Sequence, residues 1–312
     1  MRYSLVNRVR GIFLGALLGE ILATQNVSDL GEIAILGSKS LIALGRLDTE
    51  DWLKRYQSYQ KASGDLETET TGTAGGKWGK MILATLPVAI FFHEDPVKLK
   101  YNLRQLLQIW DANPVVIDAA LVLGYAIAKS LTETLDPFTL IPETIDFLGE
   151  SKTSIPQKLV KVNNLLEQGS GLAQAQTEFS KQDKFSNNIA LAFYCFLSTL
   201  EDFRLTVLRA KSNLREQNSW CCALTGALSG VYNSIEGIPV NWQVVLSAFN
   251  QPVWGMSSGS VMLELADELV AVWSGAYNIS PNIKELTKEG CKINWELVPL
   301  SVFAAPRVIR PR

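Results

Sequence analysis

Few residues in this chain have chemistry to offer, and the densest group of them lies at 213–230, NLREQNSWCCALTGALSG. Its first half, from Arg215 to Ser219, is a polar loop that feeds a helix of small residues. Such a loop gathers free backbone N–H groups and the positive end of a helix dipole, a place where anions and metal-bound phosphates are often held. Plain capping of the helix by Asn218 or Ser219 explains the same residues. In the second half Cys222, Gly226 and Gly230 fall four apart on one helical face, with Ala223 and Ala227 beside them, so a second helix can approach closely. The remaining chemistry is thin. Cys195, Cys221, Cys222 and Cys291 form no CxxC pair and sit mostly in apolar surroundings, which reads as reduced, buried thiols of a cytosolic protein. His93 is the one histidine, and a zinc site is not expected around it.

The scaffold that must position these residues is core-rich. Apolar residues make up 47% of the chain and charged ones 19%, with a formal net charge of −2. Neither nucleic acid nor an anionic membrane is expected as a partner on that balance. At the N-terminus Arg2, Arg8 and Arg10 precede the apolar run 11–19, an order a signal peptide also shows. Glu20 interrupts the run where such a region should finish. Gly11, Gly15 and Gly19 resemble a membrane-helix dimer face, but so short a run cannot span a bilayer. A buried first helix explains both features, and the protein is expected to be soluble and cytoplasmic.

Helical periodicity dominates, and no run alternates as a strand would. Helices are expected over 6–23, from a cap at Ser28 or Asp29 to Leu44, and from Asp48-Thr-Glu-Asp51 onward. Residues 62–79, ASGDLETETTGTAGGKWG, read as a long surface loop, either a flexible connection or the border of a cleft. They do not form a P-loop, because no glycine stands five before Gly76 and Trp78 follows Lys77. Further helices are expected over 81–92 (carrying Pro87), from Glu94-Asp95-Pro96, and over 115–131, 188–199, 202–211 and 261–273. Pro137, Pro142 and Pro156 separate shorter helices in the polar middle, and Gly237-Ile-Pro239 ends the small-residue helix. The expectation is an all-α, compact, single-domain orthogonal bundle over 1–277, followed by a partly packed tail over 278–312.

Four patches in this order resemble the ADP-ribosylglycohydrolase family, the all-α hydrolases of ADP-ribose linkages. Arg8-Val-Arg-Gly11 through Leu18-Gly19-Glu20 is like the family's opening RxRGxxLGxxxGDAxG helix, with Glu20 where Asp is usual. Residues 81–96, MILATLPVAIFFHEDP, are similar to its "MRxxPlglff" helix. Residues 110–128 look like its histidine-containing turn and apolar helix, with Asp111 and Asn113 where histidines belong. Thr225-Gly-Ala-Leu-Ser-Gly230 through Glu236-Gly-Ile-Pro239 matches the stretch after the catalytic GGDTDT motif.

The resemblance implies two magnesium ions held by carboxylates of an early TDDT and a late DTDT motif, since Mg²⁺ takes hard anionic oxygens in octahedral geometry. Carried over by position, the late motif falls on Glu216, Gln217, Asn218, Ser219 and Trp220, and the early one on Ser28, Asp29, Leu30 and Gly31. Only Asp29 keeps a matched carboxylate, so it is the metal ligand if any is. Glu20 and Glu216 lie near matched positions and complete the set of candidate acids. Ser28, Gln217, Asn218, Ser219 and Trp220 are the candidate binding positions, with Trp220 either stacking on a purine-like ring or packing in the core. Without most of its carboxylates a di-magnesium site loses most of its attraction for the ions. The expectation is a catalytically inactive relative without a cofactor, kept for binding ADP-ribose, a related nucleotide or a partner. Magnesium is expected only if the family activity survives. One alternative is a glycosidic-bond hydrolase with a rearranged site on Asp29, Glu20 or Glu216; another is an interaction protein without a pocket.

Overall fold

The helical spacing read from the sequence is realised as fifteen α-helices and one 3-10 turn, with no strand among the described residues. The computed structural model describes residues 3–24, 29–63, 74–180, 183–212, 219–247, 254–256 and 258–276. The first five helices are α1 (Leu5–Thr24), α2 (Glu32–Leu44), α3 (Thr49–Ser63), α4 (Ala74–Ala84) and α5 (Leu86–Phe91). Next come α6 (Pro96–Gln108), α7 (Pro114–Leu131), α8 (Leu140–Leu148), α9 (Ile155–Glu167) and α10 (Leu172–Glu178). The last are α11 (Lys184–Ser198), α12 (Phe203–Ser212), α13 (Ser219–Asn233), α14 (Val240–Ser247) and α15 (Gly259–Trp273), with the 3-10 turn at Ile235–Gly237.

Local chemistry sets many boundaries. The Asp95 carboxylate accepts from the N–H groups of Val97 and Lys98, and Pro96 stands in the first turn of α6. Asn113 accepts from Val115 N–H at the start of α7. Gly45 closes α2 at φ +63°, a conformation that glycine takes without a Cβ clash.

Three expectations need correction. Residues 81–92 are two helices: Pro87 has no N–H to donate, so α4 stops at Ala84 and α5 restarts with Pro87 in its first turn. The loop expected over 62–79 is shorter, since α3 runs to Ser63 and α4 starts at Ala74; residues 64–73 lie outside the described set. The second helix begins at Glu32, after Gly31, and not at 28–29.

α1 and α13 form the centre. Gly11, Gly15 and Gly19 of α1 meet Gly230, Gly226 and Cys222 of α13 in reverse order, so the helices run antiparallel with their backbones in contact. A Cβ on Gly15 would lie 2.3 Å from the Gly226 carbonyl oxygen, and one on Gly19 would lie 2.1 Å from that of Cys222. The small residues of both helices are therefore one device. α7, α11, α12, α15 and α4 pack around the pair. α7 is long and apolar enough to cross a membrane, yet most of it is buried inside the protein, as expected of a central helix.

One buried charge fastens α1 to α7. The guanidinium of Arg8 donates to the carbonyl oxygens of Ser130 and Leu131, both at 3.2 Å, and pairs with Glu133. These carbonyls end α7, where the helix dipole favours a cation. His93 also belongs to the framework. Its ring packs on Trp273 at 4.9 Å and its Nδ1 lies 2.7 Å from the Ile90 carbonyl, while burial pushes its pKa down.

Candidate functional site

The two motif positions separated in sequence meet at one end of the α1–α13 pair. α4 joins them. Lys80 of α4 forms an ion pair with Asp29, just before α2, while its neighbour Gly79 lies against Trp220 at the start of α13. A Cβ on Gly79 would stand 2.5 Å from the Cβ of Trp220, so this glycine is needed for the close approach. Glu20, near the end of α1, reaches the same region through Trp254, whose Nε1–H donates to Oε2 at 2.6 Å. The same indole covers Gly31, where a Cβ would lie 2.0 Å from its ring.

Each candidate residue among the described ones has a definite setting. Asp29 is exposed, and the Lys80 ammonium pairs with its carboxylate. Glu32 is close by and accepts from the Tyr59 hydroxyl at 2.6 Å. Burial, reinforced by the carboxylates of Asp29 and Glu32 against the opposing Lys80, raises the Tyr56 phenol pKa. Glu20 is fully buried against an indole. Ser219 is half-buried and opens α13. Trp220 is 1% exposed, with its ring against Phe185 at 5.0 Å, and Phe185 in turn meets Trp78 edge-on at 4.9 Å. It is a core residue and not an open stacking platform. Ser28, Glu216, Gln217 and Asn218 lie outside the described residues, as does the helix-cap position before Ser219.

The described side chains do not by themselves form a site for a pair of magnesium ions. Among the described residues no three carboxylate, histidine or cysteine groups gather to hold a metal. A dication beside Asp29 would have to displace or tolerate the Lys80 ammonium, and like charges at contact distance repel strongly wherever water is partly excluded. Octahedral Mg²⁺ needs oxygen ligands in a definite geometry, and the position the resemblance gives to a ligand threonine carries the indole of Trp220.

Little in the local sequence announces Lys80 and Trp254 as partners of these acids. Lys80 stands 51 residues from Asp29, and Trp254 stands 234 residues from Glu20. A signal for Trp254 existed in the Trp-Gly pair, since Trp254 at φ +50° and Gly255 at φ +71° make a left-handed turn. A tryptophan in that region is strained by ~1–3 kcal/mol and persists only when its surroundings hold it there. The Glu20 hydrogen bond and near-complete burial supply the hold.

That hold makes a prediction. Glu20→Ala leaves the Trp254 N–H without its acceptor and opens a cavity, for an expected loss of ~2–3 kcal/mol. Glu20→Gln keeps an acceptor oxygen of the same reach and should cost well under half as much. Chemical denaturation of both variants measures the difference, and equal losses would show that the charge, not the acceptor, is what matters.

Comparison with known proteins bears on the fold and the family. The sequence profile of the ADP-ribosylglycohydrolase family matches residues 1–278. A solved structure titled "ADP-ribosylglycohydrolase-related protein complex" is similar in fold, with a TM-score of 0.60 at 16% identity, over 86% of this chain and 99% of that one. No curated protein matches the sequence. With a family match over most of its length and an all-helical fold to go with it, the chain belongs to the ADP-ribosylglycohydrolase family.

Proposed function

We propose that this protein is a non-catalytic member of its family, one that keeps the scaffold for binding ADP-ribose, a related nucleotide or a protein partner. The observation that carries this reading is the ion pair of Lys80 with Asp29, the one matched carboxylate. An ammonium there offsets part of the charge that would attract a metal ion. The closed setting of Glu20 and the buried ring of Trp220 support the same reading. A hydrolase rearranged around Asp29 and Glu20 fits less well, because a general acid or base must reach the reacting group or its water. Glu20 is sealed beneath Trp254.

Thermal unfolding of the full chain with and without ADP-ribose tests the binding role. A ligand held by the folded state raises the midpoint by mass action. The expected result is a rise that persists in EDTA. A rise that EDTA abolishes would contradict metal-free binding, and no rise for any nucleotide would leave the scaffold to a protein partner alone.

A further inference from the structure

α8 and α9 pack side by side and leave a seam between them. Two cavities lie along it, of about 370 Å³ and about 710 Å³, and Asn163 of α9 lines both. At one end Ile141, Pro142 and Ile145 of α8 face Val160 of α9, which is 47% exposed. At the other end Leu166 of α9 and Leu197 of α11 continue the apolar wall.

A carboxylate stands toward each end of this seam. Asp146 lines the smaller cavity and Glu167 the larger, and both are exposed. Among the described residues no hydrogen bond or ion pair holds Asp146. The Lys100 ammonium senses its charge but donates to the carbonyls of Phe147 and Leu148, at 2.7 and 3.2 Å. Glu167 accepts from the neutral Asn163 amide at 2.7 Å. Val160, beside Asp146, and Glu167 stand seven residues apart on α9, which is ~10 Å along the axis. An apolar trough with acids so spaced suits a segment bearing two cations at that separation and apolar side chains between them. Arg209, the cation in the far wall of the larger cavity, is held over the Tyr194 ring at 5.6 Å and takes no part in this match.

The chain carries a segment with that pattern. Pro306-Arg-Val-Ile-Arg-Pro311 lies beyond residue 278, where the family match stops, and outside the described residues. Its Arg307 and Arg310 flank Val308 and Ile309. Proline favours the polyproline II backbone for itself and for the residue before it, and there side chains three apart share one face at ~9 Å. The two arginines therefore match the two carboxylates in spacing. Thirty residues separate Ala276 from Arg307. They can span up to ~100 Å, about twice the ~50 Å width of a globular chain of this length.

We propose that the α8–α9 seam is the docking groove for Arg307-Val308-Ile309-Arg310 of the same chain, with its arginines on Asp146 and Glu167 and its apolar pair in the trough. Exposed ion pairs contribute little singly, so the arginines chiefly set the register. Tethering raises the effective concentration to the order of millimolar, at which a weak contact suffices. The groove is independent of the reading given above for the Asp29 region.

Photocrosslinking of the full chain with p-benzoylphenylalanine in place of Val308 tests it. The expected product is an intramolecular crosslink in the monomer to the seam, residues 137–169, mapped by mass spectrometry. Arg307→Glu/Arg310→Glu, which leaves the helical domain untouched, should lower its yield by about fivefold or more, and so should Asp146→Lys/Glu167→Lys. Combining the two charge reversals should restore the yield to within about twofold of the parent, a rescue that misfolding cannot produce. Absence of the crosslink, a crosslink elsewhere in the fold, or a yield unmoved by either reversal would overturn the proposal. A crosslink joining two chains would also overturn it and give the seam to a second copy.

Discussion

Gly226→Ala is expected to destabilise the protein by ~3 kcal/mol or more, an unusually large effect for a single added methyl group. The new Cβ would lie 2.0 Å from the Gly15 carbonyl oxygen, 2.7 Å from its carbon and 3.4 Å from the Ala16 nitrogen. All three atoms are helix backbone, and no rotamer change can move them. Relief requires α1 and α13 to separate, and that would also open the Gly11–Gly230 and Gly19–Cys222 contacts on either side. The cost therefore spreads along both central helices. At a few degrees per kcal/mol for a chain of this size, the unfolding midpoint should fall by roughly 10 °C, or soluble protein should fail to accumulate. Gly76→Ala is the control, since nothing lies within 4 Å of a Cβ there and the position is helical. It should gain ~0.5–1 kcal/mol from helix propensity. The same substitution thus has opposite signs at two glycines. If Gly226→Ala melted within a few degrees of the parent protein, the backbone-to-backbone packing described here would be wrong.

Trp220→Ala is expected to cost ~3–5 kcal/mol, the range for removing a fully buried large side chain. The ring fills the space between Gly79 and Phe185. Trp220→Phe should keep most of that stability. The Trp220 Nε1–H has no hydrogen-bond partner among the described residues, so losing it costs little, and a phenyl group retains much of the contact. Denaturant unfolding of the two variants distinguishes a packing residue from a ligand platform. A platform would show the reverse pattern, with Trp220→Ala nearly as stable as the parent but deficient in nucleotide binding.

Both residues show what the sequence could and could not reveal. The two faces that meet between α1 and α13 were each legible because small residues recur every fourth position, glycine in α1 and cysteine and glycine in α13, and local spacing alone defines such a face, whereas their pairing with each other is set by the fold. Helix starts at Asp48 and Asp95 were legible for the same reason, since the capping oxygen and the N–H groups it serves lie within three residues. α4 was missed. Its three glycines, Gly75, Gly76 and Gly79, argue against a helix by propensity. Contact of Gly79 with Trp220 across the fold favours the helix instead, and no local pattern announces it. The candidate site was legible only as a set of positions. That Asp29 meets Lys80 and Glu20 meets Trp254 depends on chain segments brought together by folding.

The central claim is that the family scaffold persists here without its metal chemistry. The most direct measurement is release of ADP-ribose from ADP-ribosylated arginine, serine or DNA by the purified full chain, in Mg²⁺ or Mn²⁺ and in EDTA. The account predicts no release above that of an Asp29→Ala variant under any of these conditions. Metal-dependent release that Asp29→Ala abolishes would contradict it.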